Sequence, residues 1–308
     1  MSLVDMVDDR KCYDVIRQCS WEYGIQCPEC ENMDVSRNGH VKTNTFCQKY
    51  ICKTCGKCFN DLTSTMFSRC RVILKKWILC LYMMCLNLST NRIAKELDLN
   101  VITAHRMAAK FRRGMETRAP EPLLHGIVEM DEVYIVAGHK GLPNSVLRKG
   151  RKGRRNRLRG ARGRGTLFKE KPPVFGMLQR GGEIVIRMLP NVRITTIGPI
   201  IVGHVEAGSI VCTDEFDIYS RLTSLGYEHL KVCHGRKEFV RDSERVDIRK
   251  IHVNSIEGAW SMLRSWLRQH KGISQERLPS YLAFFQFAYN TRARGRKLFE
   301  LILKLLLS

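Results

Sequence analysis

Acid is scarce in this sequence: 30 Asp and Glu stand against 52 Lys and Arg, a formal net charge of +22 over 308 residues. That balance excludes an acidic, solvating chain and asks for a polyanionic partner, most simply nucleic acid. Also missing is any apolar run of the ~18 residues that a membrane span needs. The opening Met1-Ser-Leu-Val-Asp-Met-Val-Asp-Asp-Arg-Lys11 lacks the apolar stretch of a signal peptide. Neither a membrane contact nor export is expected. There is no even, export-associated set of cysteines either. The count is thirteen, so reduced thiols, some of them holding metal, are expected instead of a disulfide scaffold. No internal repeat is present. Apolar residues are plentiful at 44%, as in a globular protein, and the length suits roughly two domains at ~150 residues each.

Texture divides the chain. Residues 1–60 are rich in cysteine. Residues 61–118 read as helices, with Leu74, Trp77, Ile78, Leu81 and Met84 at helical spacing. Pro120 and Pro122 then break the pattern. Residues 125–295 alternate short apolar runs with turns before ending in helices over 256–268 and 278–291. Within them, Gly126–Asp131 and Ser209–Asp214 read as strands, and 173–180 and 183–189 as a β-hairpin about Gly181-Gly182. Residues 296–308 form a Leu-rich tail, too short to span a bilayer and expected to pack on the catalytic domain or a partner subunit. Inside a basic insertion over 140–171, Arg148–Arg164 carries ten Lys and Arg, four Gly and no acid. A solvated loop explains that composition, but the overall charge favours a phosphate-binding arm through Arg151, Lys152, Arg154 and Arg155; a nuclear-import signal is the other functional reading.

Two motifs carry chemistry on their own spacing. Cys27-x-x-Cys30 is followed by Cys52-x-x-Cys55 after 21 intervening residues. Each pair turns two thiolates toward one point, and the two pairs supply a closed tetrahedral Zn²⁺ shell at ~2.3 Å per bond, a zinc ribbon. Cys47 and Cys58 are spare ligands, and His40 reads as a surface residue. Downstream, Leu88–Phe111 reads as helix, turn, helix. Ser89 or Thr90 caps the first helix and Asn100 the second. Ile93, Ala94 and Leu97 are expected to pack against Ile102 and Met107. The second helix then presents Thr103, His105, Arg106 and Lys110 to a DNA major groove, as in a helix-turn-helix.

The acids are informative because they are few. Two-metal phosphodiester cleavage gathers carboxylates from distant segments around ions ~3.5–4 Å apart. Asp131 and Asp214 each end an apolar run, and Glu257 opens a helix; the intervals are 83 and 43 residues. Arg264 lies two turns beyond Glu257 on one helical face, where it would meet a substrate phosphate. Alone, each acid reads as a turn or cap residue, as Glu129, Glu132, Glu215 and Asp217 nearby illustrate. Their order and spacing match the acidic triad of an α/β RNase H-like fold, a mixed sheet flanked by helices, with an insertion.

With these blocks in view the sequence resembles the Merlin-type DDE transposases of eukaryotes and the related bacterial insertion-sequence transposases with the ISXO-like domain. The resemblance runs through the ribbon, Thr65-Met-Phe67, Lys75-Lys-Trp77, Arg92–Leu97, Val128–Tyr134, Thr213–Tyr219, Val232-Cys-His234, His252–Trp260 and Tyr281–Asn290 with Arg292. It departs after Tyr134, where a Gly-Gly pair is usual and Ile-Val-Ala-Gly138-His-Lys-Gly141 stands. It implies a cut-and-paste DNA transposase that binds terminal inverted repeats, with Asp131 and Asp214 holding Mg²⁺ or Mn²⁺. Glu257 is the first choice for third ligand, because a carboxylate suits a hard cation, and Asn254 is the second. His234 and His252 would orient substrate or support the cleft. The partners implied are double-stranded DNA, as transposon ends and target, and a second copy of the chain in a homodimer or higher assembly. The compartment follows the host: the nucleus if eukaryotic, toward which the basic run points, and the cytoplasm if bacterial. Two other classes compete: a domesticated, non-catalytic DNA-binding protein, and an RNase H-like nuclease.

Overall fold

The structure is a computed structural model. It describes residues 4–21, 23–148, 150, 164–214, 219, 221–231, 241–242, 250–293 and 297–307. The chain forms two compact units, Met1–Ala119 with Lys297–Ser308, and Pro120–Arg296.

The first unit opens with α1 (Asp9–Ser20), capped by the Asp8 carboxylate, which accepts from the Arg10 amide at 2.8 Å. Strands β1 (Val35–Val41), β2 (Asn44–Cys52) and β3 (Cys58–Asn60) follow as an antiparallel sheet. Its apolar core is small: Tyr50 and Phe59 with Trp21 edge-on to Tyr50 at 5.2 Å. A polar knot supplements it. The fully buried Asp61 carboxylate accepts from the Tyr50 hydroxyl (2.9 Å), the Gln48 amide (2.7 Å) and Arg17 Nη1 of α1 (2.7 Å), which ties α1 to the sheet.

Helices α2 (Leu74–Cys85), α3 (Thr90–Glu96) and α4 (Val101–Arg118) pack around Phe67, Trp77 and Phe111, whose rings meet edge to face. Ser89 and Asn100 cap α3 and α4 as the sequence suggests. Ile93, Ala94, Leu97 and Met107 are buried, but Ile102 is 62% exposed. The face of α4 that turns inward runs through Ala104, Met107, Ala108, Phe111 and Met115, and Ile102 falls outside that stripe. The tail forms α9 (Leu298–Leu307) and packs on α1, α2 and α4 within this first unit, where the sequence suggested a site on the 125–295 region or on a partner subunit. Its apolar stripe Ile302, Leu303, Leu306 and Leu307 is buried. The missing side chain at Gly114 admits Leu306, whose Cδ2 would lie 2.4 Å from a Cβ there, and Arg118 donates to the Leu306 carbonyl at 3.0 Å.

The second unit is a mixed five-stranded sheet in the order β6-β5-β4-β7-β8. Strands β4 (Ile127–Tyr134), β5 (Pro173–Gln179) and β6 (Ile184–Met188) run antiparallel, while β7 (Ile210–Thr213) and β8 (Glu228–Lys231) extend it in parallel from β4. A two-residue-long pair, β9 (Arg241–Asp242) and β10 (Lys250–Ile251), lies apart from that sheet, and a short α5 (Pro143–Arg148) follows β4. Helix α6 (Ile194–His204) covers one face of the sheet, over Val128, Met130, Phe175 and Val211. Helices α7 (Asn254–Arg268) and α8 (Leu278–Ala293) cover the other, over Val133, Val174, Ile186 and Cys212. With both faces covered, β5 is buried along almost its whole length. Side chains of α8 complete the edge strand: the Ile184 and Ile186 amides donate to Asn290 Oδ1 and Gln286 Oε1, each at 2.8 Å, and Asn290 Nδ2 donates to the Ile184 carbonyl at 3.0 Å. Among the described residues no helix is long and apolar enough to cross a membrane.

Candidate active site and cysteine metal centre

Cys27 and Cys30 flank one turn, closed by the Glu31 amide on the Cys27 carbonyl; Cys52 and Cys55 flank another, closed by the Gly56 amide on the Cys52 carbonyl. Glu31 and Gly56 both adopt positive φ, which lets the chain double back. The four Sγ atoms lie within 4.8 Å of one another, with Cys27–Cys55, Cys30–Cys55 and Cys30–Cys52 at 3.5, 3.5 and 3.6 Å. A tetrahedral ZnS₄ shell with bonds of ~2.3 Å places its sulfurs about 3.8 Å apart, so the donor set fits Zn²⁺. Backbone amides lower the Cys52 and Cys27 thiols while the crowding of the four sulfurs raises Cys30 and Cys55, so the cluster resists four thiolates until a cation neutralises them. Burial instead pushes Cys12 and Cys80 up to about 11 and about 12, which keeps them inert thiols. Cys47 is buried apart from the cluster and Cys58 is exposed, so neither spare joins it.

The acids are arranged by register. On β4 and β7 the paired residues are Ile127 with Ile210, Val128 with Val211 and Glu129 with Cys212. Carried two positions past that last pair, the same offset would bring Asp131 level with Asp214, one residue beyond the end of β7. Alternation along β4 sends Val128 and Met130 toward α6 and Glu129, Asp131 and Val133 toward α7. Asp131 does not end its strand, as the sequence suggested. β4 continues to Tyr134 because β5 accompanies it as far as the Tyr134–Pro173 pair. Its parallel partner β7 ends earlier, at Thr213.

Burial drives the Asp131 carboxyl up to about 6, and the charges of Asp214 and Glu257 add to the rise. Trp260 of α7 opposes them by donating Nε1–H to Asp131 Oδ2 at 2.9 Å. Gly176 on β5 makes room for that ring, since a Cβ there would lie 2.3 Å from it. On the opposite face Glu132 accepts from the Tyr219 hydroxyl, and burial raises its carboxyl to about 7.

Glu129, dismissed on sequence as a generic strand acid, is fully buried. It accepts from the Ser255 amide (2.9 Å), the Ser255 hydroxyl (3.0 Å), the Ile256 amide (3.1 Å) and Arg180 Nε (3.0 Å), with His252 Nδ1 at 3.2 Å. It therefore caps α7, which lacks a cap from its own N-terminal residue. Arg180 also donates to the His252 carbonyl at 3.1 Å, which fixes the chain entering α7. One signal in the sequence could have found it: a carboxylate two residues before Asp131, on the face that alternation buries.

Asn254 is the first residue of α7 and Glu257 follows within its first turn; both are exposed, as is Arg264. Among the described residues the cysteine set is the one group of three or more potential ligands drawn within 4.8 Å. Asp131, Asp214 and Glu257 thus share a field without forming so tight a shell. On α4, His105 and Arg106 are exposed and Thr103 half-buried; Lys110 is turned inward, its Nζ 3.6 Å from Cys70 Sγ and 5.6 Å from the Trp77 ring centre. Arg151, Lys152, Arg154, Arg155 and His234 lie outside the described residues.

Residues 123–290 match the ISXO2-like transposase domain. A protein in the transposable element ISH50 of Halobacterium salinarum is 33% identical over 99% of both chains. A transposase-like protein of Haemophilus influenzae is 28% identical over 33% of this chain and 77% of its own. Among solved structures, the simian T-cell lymphotropic virus intasome in complex with PP2A regulatory subunit B56 gamma shows 9% identity at a TM-score of 0.29, over 68% of this chain and 67% of that one. The domain match covers the whole segment that carries the paired aspartates, and the Halobacterium relative spans nearly the full length; the chain belongs to the ISXO2-like transposases.

Proposed function

We propose that the protein cuts and joins DNA as a DDE transposase. What supports this reading is the parallel β4–β7 register, whose offset, carried past its last pair, would bring Asp131 level with Asp214, together with the charges of Asp214 and Glu257 acting on Asp131. The sheet order, antiparallel on one side of β4 and parallel on the other, supports an RNase H-like catalytic domain. A half-buried carboxyl in the field of two others suits cations, and Asp131, Asp214 and Glu257, with Asn254 as the alternative third ligand, would hold Mg²⁺ or Mn²⁺. Such ions would polarise the phosphodiester and stabilise its entering and departing oxygens. The chain's own part is positional. Trp260 orients Asp131 and keeps it ionised, Glu129 anchors the first turn of α7, and Arg264 meets a substrate phosphate.

The ribbon, with Zn²⁺ on its four cysteines, and the α3–α4 pair would recognise terminal inverted repeats, His105 and Arg106 being the outward groups of α4. Pairing two ends calls for two or more copies of the chain. The relatives come from prokaryotes, Halobacterium and Haemophilus, which favours the cytoplasm over the nucleus.

The test uses purified full-length protein, Mn²⁺ or Mg²⁺, and a plasmid carrying the gene with its flanking DNA. Nicking and joined products are expected from the parent. Asp131→Asn and Asp214→Asn should each abolish both while duplex binding persists. Glu257→Gln against Asn254→Ala identifies the third ligand. Unimpaired cleavage by Asp131→Asn would overturn the reading and leave a DNA-binding protein; nicking without joined products would leave a nuclease.

A further inference from the structure

In the first unit a cavity of about 450 Å³ opens between α1 and the β1–β2 hairpin, away from the cysteine cluster. One wall is a stripe of α1: Arg10, Asp14 and Arg17, at the i, i+4, i+7 spacing that lines up one helical face. The other wall brings Arg37 and His40 from β1 and Phe46 and Gln48 from β2, with His40 directly across from Gln48 in the register.

The charges of these walls do not cancel. Asp14 is the one acid of the lining, and Arg17 occupies it at 2.5 Å. Arg17 is held in turn by the buried Asp61 at 2.7 Å, so this trio is a fixed buttress. Arg10 and Arg37 are exposed, and among the described residues neither guanidinium is ion-paired to a carboxylate. Two unspent guanidiniums thus face each other across a recess whose rim carries a 38% exposed Phe46 ring. Arginine forks match phosphate oxygens bidentately, and an exposed ring packs on a sugar or base. A chain of net charge +22 selects polyanions over single ions.

We propose that this groove grips the backbone of duplex DNA, Arg10 and Arg37 each neutralising one phosphate. The assignment rests on the transposase reading above. It places a DNA contact on the α1–ribbon surface, separate from α4 and from the carboxylates.

Counterion release makes the test quantitative. Each neutralised phosphate contributes about 0.9 to the slope of log affinity against log salt. The full-length Arg10→Ala/Arg37→Ala variant should therefore lose about 1.8 of that slope, and at 0.1 M salt its affinity for an element-end duplex should fall about 10–100-fold. Zinc content and thermal unfolding should match the parent, because both arginine side chains are exposed and neither is a zinc ligand. Lys53→Ala/Lys57→Ala is the control: it removes the same charge beside the cysteine cluster, where Asp34 and Glu29 already pair with those lysines. Its slope should change by less than about 0.5. An unchanged slope in the arginine variant, or an equal loss in the control, overturns the groove while the transposase reading stands. A parent that binds no duplex overturns both. Displacement of the duplex by inorganic phosphate at constant ionic strength would make this a small-anion pocket and would also overturn the DNA assignment.

Discussion

Glu129→Gln isolates the device that joins β4 to α7. The substitution keeps the shape of the side chain but replaces one carboxylate oxygen with an NH₂ group. In place of Oε2 that group faces two donors, the Ser255 and Ile256 amides; in place of Oε1 it faces the Arg180 Nε–H and the Ser255 hydroxyl, of which only the hydroxyl can accept. Arg180, whose side chain keeps 24% exposure, loses its anionic partner, and Glu129 itself is 0% exposed. Removing one member of a buried ion pair costs about 3–5 kcal/mol. For a unit the size of residues 120–296, each kcal/mol lowers the melting temperature by about 2–4 °C, so a fall of about 6–20 °C is expected. Ser255→Ala is the reference, because it removes one hydroxyl bond and should cost about 1 kcal/mol. Differential scanning calorimetry on the full chain reads both. A fall below about 2 °C for Glu129→Gln would mean that α7 is anchored by its apolar face alone.

Three further outcomes are expected. Trp260→Phe removes the Nε1–H bond to Asp131, worth about 1.5–3 kcal/mol for a charged acceptor. The Asp131 carboxyl should rise further above about 6, so the acidic limb of the cleavage profile should move to higher pH; an unmoved limb would refute the role given to the indole. Glu121 bonds His204 and Arg187, which hold its carboxyl down at about 2. Its contribution is present above the unfolded value near 4.5 and is lost as pH falls toward 2. Because its side chain is half exposed, that contribution is below about 1 kcal/mol, and Glu121→Gln should flatten acid unfolding between those two pH values by no more than that. Chelation should release one zinc per chain with four newly titratable thiols and melt the ribbon; Cys52→Ser should bind no zinc, and a full equivalent retained would displace Cys52 from the shell.

Local chemistry was legible in the sequence and distant partnership was not. The cysteine pairs could be read because each C-x-x-C is closed by its own turn. The hairpin about Gly181-Gly182 and the caps at Ser89 and Asn100 are equally local. The extension of β4 past Asp131 could not be read, since it depends on β5 some forty positions later. Glu129 looked ordinary because its donors lie at Ser255 and Ile256. Trp260 was taken for a core residue, and it is one, but its indole nitrogen points at the acid. The tail's destination was hidden for the same reason: an apolar stripe says that something covers it, and only the gap at Gly114 says what.

The amides that α8 lends to β6 also bear on how copies of this protein can meet. An outer strand with free N–H and C=O groups invites an incoming segment to zip onto it. Here Asn290 and Gln286 occupy the Ile184 and Ile186 positions in advance. Strand addition at the Ile184 and Ile186 positions of that margin is therefore blocked, which leaves β8 as the other edge of this sheet.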